Sequence, residues 1–539
     1  MAMLLARPCF PREDAMTRDL SADVVVIGAG PAGAALTWKL ASLGVDVLCL
    51  ERGEWFDYRR VSRDDPDYEL RRRGALNANP NVRRGPADEP IDDADSPIKP
   101  LIGNAVGGGS VWWSSHVPRF RPDDFDVRSR FGVAADWPLG HAELDLFYAE
   151  NERMIGAAFV AGDPTGPARQ ADGAPLPPIG AQGRRMAAAF ERLGWHWWPV
   201  DLVNGRGDGV CTHAGPCDLG CPARRRQGAD RIYVEAALEK GARLATGLRV
   251  QRLEHDAAGR VTEARAIGPE GPLRVRGRAF VVAANGLGTP HLLLRSASDR
   301  FPQGLGNGSG LVGRGLMLHP YGRVDGRFAE PLGFQAPGET AGLISFEFQP
   351  TRPERGFLRG AKLQVAPGPG PLALANGAPD GVPLPWGAEH HAAMEARFDR
   401  WCGVTVCAED LPEDDNRVVL SDRMTDRDGL PALKMVYRLS DNSRRILDHG
   451  IARATEVLRE AGAVETHVTP LRDQAGFHLM GTARMGNDPA RSVVDAEGRC
   501  HDVDNLFVAD SSVFVTSSVC NPTATAQALA LRSACAIAG

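Results

Sequence analysis

Asp23-Val24-Val25-Val26-Ile27-Gly28-Ala29-Gly30-Pro31-Ala32-Gly33 is the stretch that decides how this chain folds. Its first five residues are a short continuous apolar run, the pattern of a strand buried on both faces of a parallel sheet. Three glycines follow at the spacing GxGxxG, and Ala34 to Leu43 supplies good helix formers. Gly44 stops that helix, and Val45 to Leu50 forms a second apolar strand that ends in Glu51. The whole is a βαβ unit whose strands lie side by side through a right-handed crossover. In such a unit Gly28 permits the tight turn, Gly30 lets the backbone approach a pyrophosphate, and Gly33 lets helix and strand pack closely. The helix start at Pro31 and Ala32 faces the phosphate charge, while Glu51, followed by Arg52, stands where a ribose is held. The same residues would also build a tight turn with no ligand, and the motif alone does not choose between NAD and FAD.

Around this unit the bulk properties are ordinary. At 539 residues the chain needs two or three core regions. Hydrophobic residues make up 43% and charged residues 24%, as in globular proteins generally. A net charge of -6 provides no footprint for nucleic acid and no basic face for anionic lipid. No apolar run approaches the ~20 residues of a transmembrane helix. The first twenty residues, broken by Arg7, Pro8, Pro11, Arg12, Glu13 and Asp14, do not read as a cleavable signal, so a cytoplasmic location is the default expectation.

Further strands are expected at Phe280-Val281-Val282-Ala283-Ala284 and at Leu506-Phe507-Val508-Ala509, so the parallel sheet is assembled from distant parts of the chain. Between Arg52 and Pro100 the periodicity is lost, and a second irregular stretch is richest in glycine, alanine and proline from Gly162 to Gly183. Both, bounded at about 52–103 and 162–205, are expected to be lids or wraps. From Asp325 the texture changes to short alternating runs, such as Leu343 to Phe348 and Gly403 to Cys407, which suit an antiparallel sheet with one exposed face. A helix is expected from Ser443 to Ala461 on the spacing of Ile446, Leu447, Ile451, Ala454 and Leu458. The expected fold is therefore α/β: a Rossmann-type nucleotide domain (20–324 and 471–539) with an inserted α+β substrate domain (325–470) built on an antiparallel sheet.

Five motifs in order carry a resemblance. They are the glycine unit above, Gly107-Gly108-Gly109-Ser110, Gly286-Leu287-Gly288-Thr289-Pro290, Gly476-Phe477-His478 through Gly486, and Asn505 to Ser512 continuing to Asn521-Pro522-Thr523. Together they resemble the glucose–methanol–choline (GMC) oxidoreductase family from about Asp23 to Ala534, and within it the bacterial branch of sugar, polyol and glycoside dehydrogenases. The resemblance implies FAD as cofactor and hydride transfer from an alcohol as the reaction. It also implies contacts to the cofactor from Gly107, Gly108, Gly109, Ser110, Val250, Ala284 and Asp510. Some relatives attach the flavin through a histidine where this chain has Trp112, so FAD is expected to be held without a covalent bond. The electron acceptor stays open among oxygen, a quinone or dye, and a cytochrome partner, with a dehydrogenase expected over an oxidase.

His478 holds the family's catalytic position. Neutral imidazole suits the task, since its ordinary pKa of ~6.5 lets it take a hydroxyl proton near neutrality. Asn521, 43 positions on, can hydrogen-bond the same oxygen without competing for the proton. Asn521-Pro522-Thr523 also reads as a helix start, with asparagine as cap and proline at the first position. The dipole of that helix would favour negative charge on a reduced flavin. His319, in Leu318-His319-Pro320, can be structural or catalytic. Cys211, Cys217 and Cys221 form C-x5-C-x3-C, a spacing open to an iron–sulfur cluster, to zinc or to plain thiols. The alternative chemistry on this scaffold is a lyase that keeps FAD without net redox change.

Overall fold

The computed structural model describes residues 18–60, 67–169, 173–203, 226–333 and 342–539. Its nucleotide layer is a seven-stranded sheet ordered Arg243–Ala245, Val47–Leu50, Arg18–Ile27, Gly271–Val282, Val261–Gly268, Arg249–His255, with Leu506–Val508 pairing onto Gly271–Val282. Arg18–Ile27 lies between two parallel partners, with Val25 against Leu48 on one side and Phe280 on the other. That central place explains the unbroken apolar run, because Val25 and Val26 are wholly buried. The strand Gly271–Val282 serves two neighbours in turn. Its first half pairs antiparallel with Val261–Gly268, and Phe280 to Val282 then pairs with Leu506–Val508, so the end of the chain closes the sheet.

The helix Pro31–Ser42 packs under this sheet beside the helix Thr523–Ala538, through alanines that let the two axes come close. Gly33 is required here. A Cβ on it would stand 2.1 Å from the Gly28 carbonyl oxygen and 2.9 Å from the Ala283 side chain.

The second layer is a six-stranded antiparallel sheet ordered Glu465–Thr469, Tyr321–Arg327, Trp401–Ala408, Ala361–Pro367, Leu343–Ser345, Trp198–Pro199. The expectation of one exposed face is wrong for its centre, where every residue of Trp401–Ala408 is buried. One face is covered by the helix Asp441–Glu460, which is capped by the Ser440 hydroxyl accepting from the Ser443 amide. Ile446, Leu447, Ala454, Val457 and Leu458 face the sheet. Glycines let them in, since a Cβ on Gly450 would come within 2.4 Å of Val406 and one on Gly326 within 3.0 Å of Leu458. The opposite face is turned to an internal cavity, which is why polar residues alternate there with apolar ones. The run expected to continue as a strand to Phe348 ends at Ser345, whose hydroxyl accepts from the Glu347 amide and turns the chain.

The stretch after Arg52 is more ordered than its sequence suggests. It holds the short helices Tyr68–Arg73 and Pro80–Arg83, and the strand Ile91–Asp95, which joins Pro431–Val436 and Arg417–Thr425 in a three-stranded sheet. Among the described residues no helix is long and apolar enough to cross a membrane.

Candidate active site

A cavity of about 680 Å³ runs between the two layers, within the size range of small-molecule and cofactor sites. One end is walled by the βαβ unit. A Cβ on Gly30 would meet no atom within 4 Å, so this turn presents bare backbone to open space. The helix behind it begins without a side-chain cap and without an acidic residue in its first turn, leaving its amides and positive dipole end for an external anion. Glu51 closes this end. Its two carboxylate oxygens accept from the Ala29 amide (2.9 Å) and the Gly53 amide (2.8 Å), which pins the group with lone pairs to spare. Burial pushes the Glu51 carboxyl up, and the two amides pull against it. Bare backbone, an uncapped helix start and a pinned acid at a strand end are what the adenosine diphosphate half of FAD requires, so these residues fit it.

Pro31, Ala32, Arg52, Val250 and Ala284 line the same cavity, as do Gly108, Gly109, Ser110 and Asp510. Gly33 and Gly107 do not reach it. They shape its wall, Gly107 at positive φ donating to the Ala29 carbonyl. Asp510 accepts from the Asn285 amide, the Thr289 hydroxyl and the Ser512 amide, which ties three loops at one point. Trp112 lines the wall with its indole N–H donated to the Leu76 carbonyl.

At the other end stand His478 and Asn521, each about 8% exposed. Asn521 Nδ2 lies 3.4 Å from His478 Nε2, and Asn521 Oδ1 accepts from Lys362 Nζ at 2.6 Å. An ammonium only donates, so it must face the amide oxygen, and the amide N–H₂ is thereby turned to His478. That contact requires a lone pair on His478 Nε2. The other ring nitrogen gives the same answer. His319 Nε2 faces the Ser517 and Ser518 carbonyls (3.2 and 2.8 Å), which only accept, so it carries a proton. The Nδ1 of neutral His319 then accepts from His478 Nδ1–H at 2.8 Å. One consistent set of donors leaves Nε2 of His478 unprotonated and facing the cavity.

The Cys407 thiol next to His319 complicates this set. Burial weighs against a His319 cation, but Cys407 draws the imidazole upward. A cationic His319 would donate from both nitrogens and force the His478 proton onto Nε2, against the Asn521 N–H₂. The orientation fixed by Lys362 excludes that arrangement. His478 itself is held well below the ordinary histidine range, first by burial and then by the nearby Lys362 ammonium. The backbone contributes too. Ser518 sits in the left-handed region at φ 53°, a conformation that costs about 1 kcal/mol for a non-glycine residue. Its hydroxyl accepts from the Cys520 amide, and its carbonyl receives His319.

Sequence reading placed Asn521 as the cap of the last helix. The helix runs Thr523–Ala538 and begins behind Pro522 without a side-chain cap bond, because the Asn521 amide is spent on Lys362 and His478. Pro522 and Thr523 line the cavity. Lys362 and His116 were missed. The only signal for Lys362 is a lysine alternating with Leu363 and Val365 in a buried strand, where a charge has to face something polar. Cys211, Cys217 and Cys221 lie outside the described residues, and among the described residues no cluster of three metal-ligating side chains occurs.

Comparison with known proteins agrees with this architecture. The family model for GMC oxidoreductase matches at residues 173–321 (its N-terminal part) and 412–530 (its C-terminal part), and one for an FAD binding domain at 21–61. A 2-methyl-1,2-propanediol dehydrogenase of Mycolicibacterium austroafricanum is 36% identical over 530 residues, covering 95% of this chain and 94% of that one. A 6'''-hydroxyparomomycin C oxidase of Streptomyces lividus is 33% identical (97% and 92% covered). The fructose dehydrogenase large subunit of Gluconobacter japonicus is 30% identical (96% and 98% covered). Among solved structures, pyridoxine 4-oxidase from Mesorbium loti superposes with a TM-score of 0.62 at 19% identity, covering 96% of this chain and 99% of that one.

Proposed function

We propose, because this chain belongs to the GMC oxidoreductase family, that His478 is the base in the FAD-dependent oxidation of an alcohol that the chain carries out. Bound FAD supplies the hydride acceptor. The observation that carries the reading is the position of His478 Nε2, 3.4 Å from Asn521 Nδ2 in a residue that lines the cavity, where the surrounding hydrogen bonds assign it no proton. A hydroxyl oxygen placed between them receives a hydrogen bond from Asn521 Nδ2 and gives its proton to Nε2. Loss of that proton raises the electron density on the carbinol carbon and drives its hydride away. His478, on becoming cationic, keeps its Nδ1 proton on His319, so the ring does not turn during the transfer.

The Gly30 turn, the first turn behind Pro31 and Glu51 would hold the adenosine diphosphate half of FAD. Asp510, with Ala284, Ser110 and the start of the last helix, would hold its middle and flavin portions. Trp112 offers no nucleophile, which favours non-covalent attachment. The reading of a dehydrogenase, with an acceptor other than oxygen, follows the relative at 36% identity, which is named a dehydrogenase, while the relative at 33% is named an oxidase. The boundaries that fit this division of labour are a nucleotide domain at 20–324 and 471–539 around a substrate domain at 325–470. The lyase alternative draws no support from the relatives described above, which are named as dehydrogenases and oxidases.

Anaerobic mixing of the FAD-loaded protein with a panel of polyols and sugars tests the reading. Bleaching of the flavin with stoichiometric carbonyl formation is the expected result. Consumption of a substrate with no bleaching would overturn it.

A further inference from the structure

The cavity face of the six-stranded sheet carries two polar rows. Tyr321, Cys407 and Lys362 stand opposite one another in the first, beside His478 and Asn521. Arg323, Thr405 and Gln364 form the second, one step of the same face farther along, or about 7 Å. Arg472 joins this second row from the sheet edge. Its amide donates to the Tyr321 carbonyl at 2.7 Å, and its side chain lines the cavity with Arg323 and Gln364.

The two guanidinium groups differ in what they hold. Arg323 is committed: its Nε and Nη2 donate to both oxygens of Asp325, and Nη2 also to the Pro367 carbonyl. Arg472 has no hydrogen-bond or ion-pair partner for its side chain among the described residues. Both acids in its field are engaged elsewhere. Asp325 holds Arg323 through both of its oxygens, and Asp473 accepts from the amide and the side chain of Gln474. Burial, and after it the charge of Arg323, weigh against the Arg472 cation. A guanidinium with no protein partner at a partly buried cavity wall keeps its five donors for an anion or for water, and an anion matches their fork and charge better. Tyr321 bridges the two ends, its ring centroid 6.2 Å from that of His478 and its carbonyl on Arg472.

We propose that the alcohol oxidised here carries a carboxylate several bonds from the reacting carbon, and that Arg472 receives it. The substrate class is then a polyhydroxylated acid, its carbinol at His478, its intermediate oxygens on the Arg323–Thr405–Gln364 row and its charge at Arg472. The proposal rests on the reading of His478 as the base, and the test separates the two.

The test compares matched pairs under anaerobic conditions: gluconate with sorbitol, and glucuronate with glucose, with glucose 6-phosphate as a third anion. Half-saturation of flavin bleaching is expected roughly tenfold or more lower for the carboxylates than for their neutral partners. Arg472→Met is expected to raise it by about 10–100-fold for the acids, to leave their limiting bleaching rate nearly unchanged and to spare the neutral compounds. Arg472→Lys should restore part of the loss, which a merely structural arginine would not show. Equal half-saturation for acids and neutral partners overturns the proposal, as does an Arg472→Met variant that weakens both alike or a phosphate ester preferred over the carboxylates. If no alcohol bleaches the flavin, the reading of His478 falls instead. Equilibrium binding of gluconate and sorbitol to the FAD-loaded protein then still decides on Arg472.

Discussion

Replacing Lys362 by methionine removes a fully buried cation that touches Asn521 and shares a field with His478. Two consequences follow, and they can be measured separately. The first is electrostatic. The ammonium and the His478 ring are separated by one carboxamide, about 7 Å, so at an effective dielectric of about 20 the lost repulsion is worth about 2 kcal/mol. Neutral imidazole is the active form, so activity falls as pH drops through the His478 pKa. In the native protein that acid limb lies well below the ordinary histidine value. In Lys362→Met it should move up toward the ordinary histidine value. The second consequence is geometric. Without the ammonium on Oδ1 the Asn521 amide can turn its oxygen toward Nε2, and the limiting rate above pH 7 should fall by about 10–100-fold, the cost of one misplaced hydrogen bond at a reacting oxygen. Stopped-flow bleaching of the flavin against pH reads both. Lys362→Arg, which keeps the charge and a donor, should restore the position of the limb. An acid limb that stays in place, with an unchanged limiting rate, would refute the reasoning from Lys362 to the protonation state of His478.

Gly30→Ala and Gly33→Ala should separate cofactor binding from folding. The Gly30 Cβ meets no protein atom and its φ of -71° suits alanine, so the apoprotein should melt at an unchanged temperature while FAD binds at least tenfold more weakly. The Gly33 Cβ collides with backbone, so that variant should lose about 1–3 kcal/mol in urea unfolding of the apoprotein. Equal effects of the two on apoprotein stability would contradict the assignment of the open side to the phosphates. Arg359 is fully buried between Asp124, Glu409 (2.8 Å) and Asp123 (3.3 Å), joining the stretch after Arg121 to the central strand of the second sheet. Arg359→Met should cost about 3–5 kcal/mol by leaving two carboxylates buried and uncompensated, and thermal unfolding checks it. An unchanged melting temperature would mean that the cluster is not what joins the layers.

The parts of this fold that were legible in the sequence are those made by neighbours in the chain. The βαβ unit is one such part, because its strand, turn and helix are set by about thirty consecutive residues. The helix covering the second sheet is another, since its apolar spacing survives in Ile446, Leu447, Ala454 and Leu458. The covered strand Trp401–Ala408 was misread because its sequence alternates weakly, and burial on both faces comes from a helix and a cavity supplied by other segments. The candidate site divides the same way. His478 and Asn521 could be singled out from motifs, but the residues that set their protonation and orientation could not. Lys362 meets Asn521 across 159 positions, and His319 meets His478 across the same separation. His319 was visible as a histidine with no stated task. Its task depends on the two serine carbonyls near residue 518, and nothing local in the sequence points to them.

The most direct test of the central claim is a deuterium isotope effect on anaerobic flavin bleaching, using an alcohol substrate labelled at the carbinol carbon, in the native protein and in His478→Ala. The account predicts a primary isotope effect in both, with the His478→Ala rate lower by roughly 10²–10⁴-fold across neutral pH. A His478→Ala protein that bleaches at the native rate would contradict the account, as would bleaching insensitive to deuterium in both proteins.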